Sequence, residues 1–425
     1  MLIRLLLRFS ALGLKFGLAI VVARMLGFDA VAAYGIAVAA SVIASKVLGL
    51  GFSTELNRRL SARNPLPAIG RARTLCGVFA GLYLLAVLAL GAAGGGAAHV
   101  LGIPTSLLWG VLLVALSEHA AFEANAWLFS LHRPRAGSLL LFVRTGAWAG
   151  LACAGLLAGV LHSIEAVFAL WFASNALAVA VCWRSLAALM RRAPHAARAD
   201  RAPGLHDLFA VWRHGLPFYL AGVLLSSLQY AERFIAGGLA STDALGRYVF
   251  AWSIANAVQT IAFSAIAVTA GPRFVRTLAA DPAAFGRQLR RALAAAVGVT
   301  ALAAVAILIV HDELFRLAHE QAGTREVAVL AVLLASFALR SAADVLWTAA
   351  IALRAGLAVT LSMAAVAAAW APLAWHLIGH AGTTGAALAH LAASVGIVAA
   401  LALIVARGAR THAVTPRREG LSDAA

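Results

Sequence analysis

Apolar stretches of about 20 residues, the length an α-helix needs to cross the hydrocarbon core of a bilayer, follow one another with short polar breaks. They fall near residues 5–23, 31–51, 75–97, 107–130, 139–160 and 166–183, then 216–239, 248–270, 292–310, 327–353, 357–378 and 385–406. Within each stretch the apolar residues run continuously and do not alternate, which favours helices over a transmembrane barrel. The pattern predicts an all-α polytopic membrane protein with about 12 transmembrane helices. The longest polar interruption, RSLAALMRRAPHAARADRAPGLHDLFAVWR at 184–213, is basic, contains Pro194 and Pro203, and divides the spans six and six. The expected organisation is an N-terminal lobe over 1–190, a basic cytoplasmic linker over 191–213, a C-terminal lobe over 214–406 and a disordered polar tail over 407–425.

Composition agrees with this reading. The chain is 63% hydrophobic and 12% charged, with a mean hydropathy of +0.90, and a soluble domain carries roughly twice that charge. A net charge of +17 raises the question of nucleic acid, but the distribution of the charge answers it. Basic residues gather in alternate loops, as the positive-inside bias requires. One side owns Arg58, Arg59, Arg63, Arg71 and Arg73, then Arg133 and Arg135, then the 184–213 segment, then Arg273, Arg276, Arg287, Arg290 and Arg291, then Arg354 and the tail. The other side holds little beyond Arg24, Arg247, Arg316 and Arg325, and carries Asp312, Glu313, Glu320 and Glu326 instead. With an even number of spans, both termini are placed in the cytoplasm, and no nucleic-acid partner is expected. Arg4 and Arg8 before an apolar stretch look like the start of a signal peptide, but Lys15 interrupts that stretch, so it is read as an uncleaved first span. Cys76, Cys153 and Cys182 lie in or beside spans without metal-ligand spacing or a disulfide framework, so no metal and no cofactor is expected.

DAVAAY at 29–34 and DALGRY at 243–248 echo one another almost half the chain apart. Both fall at the outer turn before the second span of their lobe. Asp29 and Asp243 are expected as helix N-caps, and Tyr34 and Tyr248 as interfacial rings. Because each lobe has six spans, the repeats would be parallel, related by an axis along the membrane normal.

The stretches ARMLGFDAVAAYGIAVAA at 23–40 and LQYAERFIAGGLASTDALGRYVFAWSIANAV at 228–258 resemble bacterial polysaccharide-export flippases of the Wzx type. That family shares a superfamily with multidrug and toxin extrusion (MATE) transporters and lipid II flippases. The two extra C-terminal helices expected of lipid II flippases are missing, which favours the Wzx-type branch. The resemblance implies a flippase and not an enzyme, in a bacterial inner membrane. Its substrate would be a polyprenyl-diphosphate-linked oligosaccharide (an O-antigen, capsule or exopolysaccharide repeat unit). Glycosyltransferases and a polymerase of the same pathway would be its partners. A MATE-type cation-coupled exporter shares the fold but favours an acidic cavity. A membrane glycosyltransferase or polymerase usually carries a large outer loop, whereas the longest here is HDELFRLAHEQAGTRE.

A charge at mid-bilayer is costly unless it faces a wet cavity or a partner, so each one is a site candidate. Arg4, Arg8 and Lys15 lie within about 40° of one face of the first helix, with Lys15 about 16 Å along it from Arg4. Lys15 reads as a cavity cation or as half of a structural ion pair. Lys46 and Arg144, nearer the cytoplasmic ends of their spans, either line that cavity or snorkel. Arg24 and Arg233 lie toward the outer face, as exit guards for an anion or as interface anchors. Glu118 either pairs with Lys15 or binds a coupling proton or cation. Glu123 points about 140° away from it on the same helix. Arg340 and Asp344, one turn apart, are expected to neutralise each other or to take part in coupling. Asn125, Asn175, Gln229, Asn256 and Gln259 are candidate sugar contacts, or polar glue between helices.

Overall fold

The structure, a computed structural model, describes residues 2–61, 65–101, 104–192, 205–321 and 323–414. Among these residues there are helices and turns and no strand. In order they are α1 (Leu2–Leu26), α2 (Phe28–Val47), α3 (Phe52–Leu60), α4 (Leu66–Leu101), α5 (Thr105–Ser130), α6 (Pro134–Phe142), α7 (Trp148–Leu157) and α8 (Ile164–Arg192). Then follow α9 (Leu205–Tyr230), α10 (Glu232–Leu239), α11 (Thr242–Ala262), α12 (Val268–Ala280), α13 (Pro282–Ile309), α14 (His311–Leu317), α15 (Thr324–Ala352) and α16 (Gly356–Val414). A π-turn at Val143–Ala147 joins α6 to α7, and another at Phe263–Ala267 joins α11 to α12.

Ten helices among the described residues are long and apolar enough to cross a membrane. One of them, α16, doubles back at Gly382, whose φ of 56° and ψ of −129° are open to glycine and strained for other residues. Counting α16 twice and adding α9 with α10 recovers every span predicted from hydropathy. The chain is a multi-pass membrane protein.

Four expectations shift. The linker is shorter than 191–213, because Arg191 and Arg192 close α8 and residues 205–213 already belong to α9. Leu205, Leu208, Phe209 and Trp212 recur at helical spacing there, a pattern that a search for continuous apolar runs passes over. Residues 193–204 lie outside the described residues. The tail is helical as far as Val414, and residues 415–425 lie outside the described residues. The echoing Asp residues, finally, are not caps. Gly27, at φ 84°, precedes α2 without a side-chain cap bond, and Ser241 caps α11 by accepting from the Ala244 N–H at 3.3 Å. Asp29 and Asp243 are the second residues of their helices, where a carboxylate suits the helix dipole. Ser241→Ala is expected to cost about 1 kcal/mol, read as a lower thermal unfolding midpoint of the purified protein in detergent. The tyrosines also depart from expectation, since both are buried rather than interfacial.

We propose a division into an N-lobe over α1–α8 and a C-lobe over α9–α16. In the first set α5 packs on α2 and α8; in the second α15 packs on α16, α13 and α11. The two sets meet along α2, which lies against α11 and α9. Small residues permit that close approach. A Cβ on Gly35 would stand 2.4 Å from a methyl of Val249, and one on Gly246 would stand 1.9 Å from the Phe28 carbonyl oxygen. At the other end of α2, a Cβ on Gly215 would stand 2.8 Å from the Gly51 carbonyl oxygen. The echoing segments are thus opposite walls of one seam.

Candidate functional site: a cationic cavity on the seam

Where α2 and α11 part, they leave a cavity of about 250 Å³. Lys15 of α1 lines it on one side and Arg233 of α10 on the other, with Tyr34, Tyr230, Trp252 and Asn256 between them. Among the described residues no carboxylate lines it, while Glu118 acts on Lys15 and Glu232 on Arg233 from outside the lining.

Lys15 rests on an aromatic floor. Its Nζ lies 5.6 Å from the ring centre of Trp171 and 6.0 Å from that of Trp148. Those rings are stacked at 4.6 Å and 7°. Among the described residues Lys15 has no hydrogen bond and no ion pair within 4 Å, but it interacts through space with the Glu118 carboxylate. A cation over an indole face gains about 0.5–2 kcal/mol, which leaves the ammonium's hydrogen-bonding capacity open. The floor is fastened from beneath. Trp171 Nε1 donates to Glu118 Oε2 at 3.0 Å, and Trp148 Nε1 donates to the Arg144 carbonyl at 2.9 Å. Glu118 is ion-paired with Arg144, which the π-turn between α6 and α7 carries.

Arg233 is 1% exposed. It follows the break at Ala231 between α9 and α10, and its Nη1 donates to the Gly35 carbonyl across the seam at 2.7 Å. Its guanidinium lies 3.9 Å from the Trp252 ring centre and 5.1 Å from that of Tyr230. Nε and Nη2 have no hydrogen-bond partner. A broken helix at mid-span is tolerated in a membrane where it is buried or borders a cavity.

The structure therefore sorts the candidate residues. Lys15, Arg233 and Asn256 share the cavity. Arg144 does not line it, because Glu118 holds it; Glu118 takes Arg144 and not Lys15 as its ion-pair partner. Arg24 is exposed at the end of α1, away from the cavity, and the Arg8 side chain lies outside the described residues. Lys46 lines a second cavity, of about 330 Å³, with Glu123. Asn125 donates to the Gly137 carbonyl at 2.8 Å and Asn175 to Ser117 Oγ at 3.1 Å, both as links between helices. Arg340 and Asp344 do not close on each other. Arg340 donates to Gln229 Oε1 at 2.5 Å, and Asp344 accepts from Gln259 Nε2 at 2.7 Å, so both glutamines are engaged.

The aromatic residues were missed by sequence reasoning. Trp148, Trp171 and Trp252 are indistinguishable by composition from interfacial anchors, and the signal available was their position well inside a span. Among the described residues, no group of three or more His, Cys, Asp or Glu side chains is arranged to hold a metal ion.

No protein-family model matches the sequence, and no curated protein does. Solved structures do match. A multidrug-resistance MATE family transporter of the MOP superfamily, in its inward-facing conformation, has a TM-score of 0.71 at 14% identity, covering 95% of this chain and 94% of that one. The lipid II flippase MurJ, inward closed, has a TM-score of 0.69 at 12% identity, covering 97% and 91%. The Vibrio cholerae MATE transporter VcmN in the bent form has a TM-score of 0.55 at 16% identity, covering 97% and 99%. The fold is the one these membrane transporters and MurJ share.

Proposed function

We propose that the chain is a flippase for polyprenyl-diphosphate-linked oligosaccharide, moving an O-antigen, capsule or exopolysaccharide repeat unit from the cytoplasmic to the outer leaflet of a bacterial inner membrane. The observation that carries this reading is the seam cavity with Lys15 and Arg233 on opposite lobes and no carboxylate in its lining. Glu118 acts on Lys15 only through space, because its carboxylate is ion-paired with Arg144, so the ammonium's hydrogen-bonding capacity is open to an anionic headgroup through charge-assisted hydrogen bonds. The lobes rock about the seam in alternating access, so that the cavity opens to each side in turn. With the interior negative, each negative charge moved outward gains about 2.3 kcal/mol per 100 mV. Glycosyltransferases and a polymerase would supply and consume the substrate.

A second reading, a MATE-type cation-coupled exporter, is favoured by Glu123 in the lining of the second cavity. The two readings separate in proteoliposomes. Lys15→Ala and Arg233→Ala are each expected to slow flipping of a defined polyprenyl-diphosphate oligosaccharide about 10- to 100-fold, the loss of one hydrogen-bonded charge contact, with membrane insertion intact. Full flipping by both variants would remove the cationic-cavity idea. Export of organic cations by a wild-type protein that flips no lipid would establish the exporter.

A further inference from the structure

The face of α2 that lines the first cavity runs on into the second. Gly35, Val38 and Val42 border the first, while Ser45 and Lys46 border the second, all at steps of one, three or four residues. From Gly35 to Lys46 is about 16 Å along the axis. The two cavities are therefore arranged in series on one seam, the second toward the end that the charge distribution assigns to the cytoplasm.

The lining of the second cavity differs in kind. Phe122, Phe218 and Trp347 give it aromatic walls, and polar groups are set among them. Lys46 Nζ stands 5.4 Å from the Phe122 ring centre and makes no hydrogen bond or ion pair among the described residues. Glu123, 2% exposed, accepts from Ser53 through Oε1, and Trp127 and Lys46 both act on its carboxylate, although Oε2 makes no hydrogen bond of good geometry. Trp127 Nε1, buried one turn further along α5, is the nearby donor that acts on this carboxylate. Asn57 uses its Oδ1 to accept from Ser130 at 3.0 Å.

We propose that this second cavity is a saccharide subsite, reading the sugar that follows the diphosphate. The inference rests on reading the first cavity as the diphosphate site. A pyranose offers an apolar C–H face to an aromatic ring and a rim of hydroxyls that both donate and accept. Aromatic walls with sparse polar groups match that chemistry, as orienting contacts in an apolar pocket usually do. Glu123 accepts a sugar O–H or N–H, Lys46 donates to a sugar oxygen, and Trp347 with Phe218 bears the ring. With the diphosphate between Lys15 and Arg233, the attached sugars extend along α2 toward Lys46. Lys46 weighs against the other occupant that Glu123 would suit, a coupling cation, because its ammonium lines the same cavity.

The test uses the full chain in proteoliposomes with two lipids, bare polyprenyl diphosphate and the same lipid bearing an oligosaccharide. Glu123→Gln and Trp347→Ala are each expected to lower the preference for the sugar-bearing lipid about 10-fold, the effect of one lost directional contact, while the bare lipid moves at its wild-type, Lys15-dependent rate. A preference unchanged in both variants would overturn the subsite and leave the diphosphate reading standing. Equal slowing of the two lipids would mean that the residues only support the fold. A change confined to the dependence on sodium or on a proton gradient would make this a cation site and overturn the proposal. If the wild type moves neither lipid, the diphosphate reading falls and takes the subsite with it.

Discussion

Arg144→Ala is expected to destabilise the protein by about 3–5 kcal/mol, because it removes the ion-pair partner of the buried Glu118 carboxylate and leaves only the more distant Lys15 to balance it. Arg144 and Glu118 are each 8% exposed. The damage should not stay local. Glu118 also accepts from Trp171, and Trp148 stacks on Trp171 while donating to the Arg144 backbone, so the floor beneath Lys15 depends on the pair. Thermal unfolding of the detergent-purified variant, followed by size-exclusion fluorescence, measures the first effect. Removing both charges together, as Arg144→Met with Glu118→Gln, should recover much of the stability, since uncharged replacements of similar volume are often neutral at buried ion pairs. If the single variant melts with the wild type, or the double variant is no better than the single, the pair is not what holds this part of the N-lobe.

Gly246→Ala is expected to push the two lobes apart at the end of the seam that the charge distribution assigns to the outside. The new methyl would meet backbone, the Phe28 carbonyl oxygen at 1.9 Å and its carbon at 2.5 Å, so no change of rotamer relieves it. The surroundings are also closed. Phe28 lies edge-on to Phe250 at 5.9 Å, and Arg247 sits 4.8 Å from the Phe28 ring centre. Arg247 itself is tied to Asp243 at 2.9 Å and to Glu320. Overpacking of this kind costs about 1–3 kcal/mol, enough to shift a two-state equilibrium about 5- to 150-fold. A cysteine introduced as Val249→Cys, which faces Gly35 across the seam, reports the change in a background without Cys76, Cys153 and Cys182. Membrane-impermeant maleimide should label it faster from outside once Gly246→Ala is added. Unchanged labelling with unchanged transport would show that this contact does not set the closed arrangement.

DAVAAY and DALGRY each open a long buried helix, and those two helices, α2 and α11, pack against one another. That these two helices face one another, with Gly35 against Val249 and Gly246 against Phe28, depends on contacts between residues some 200 positions apart, and no local pattern encodes such a pairing. Arg233 makes the same point. By hydropathy it stands near the outer end of a span and reads as an anchor, yet the break at Ala231 leaves it 1% exposed and bonded to Gly35. Glu118 had a plausible partner in Lys15, and the partner it takes is Arg144, because the strand of helix carrying the π-turn is the one laid beside it.

By itself the sequence determined the helical, multi-pass character of the chain and the number of spans, and it singled out Lys15 as the charge hardest to explain without a cavity. Those features follow from the cost of placing polar groups in hydrocarbon, which acts on every residue according to its own chemistry and its distance along the helix. Only the tertiary structure decided which charges meet one another and which face open space. That choice depends on how each helix is rotated and what it packs against, and a buried charge is satisfied by whichever neighbour the packing brings within reach.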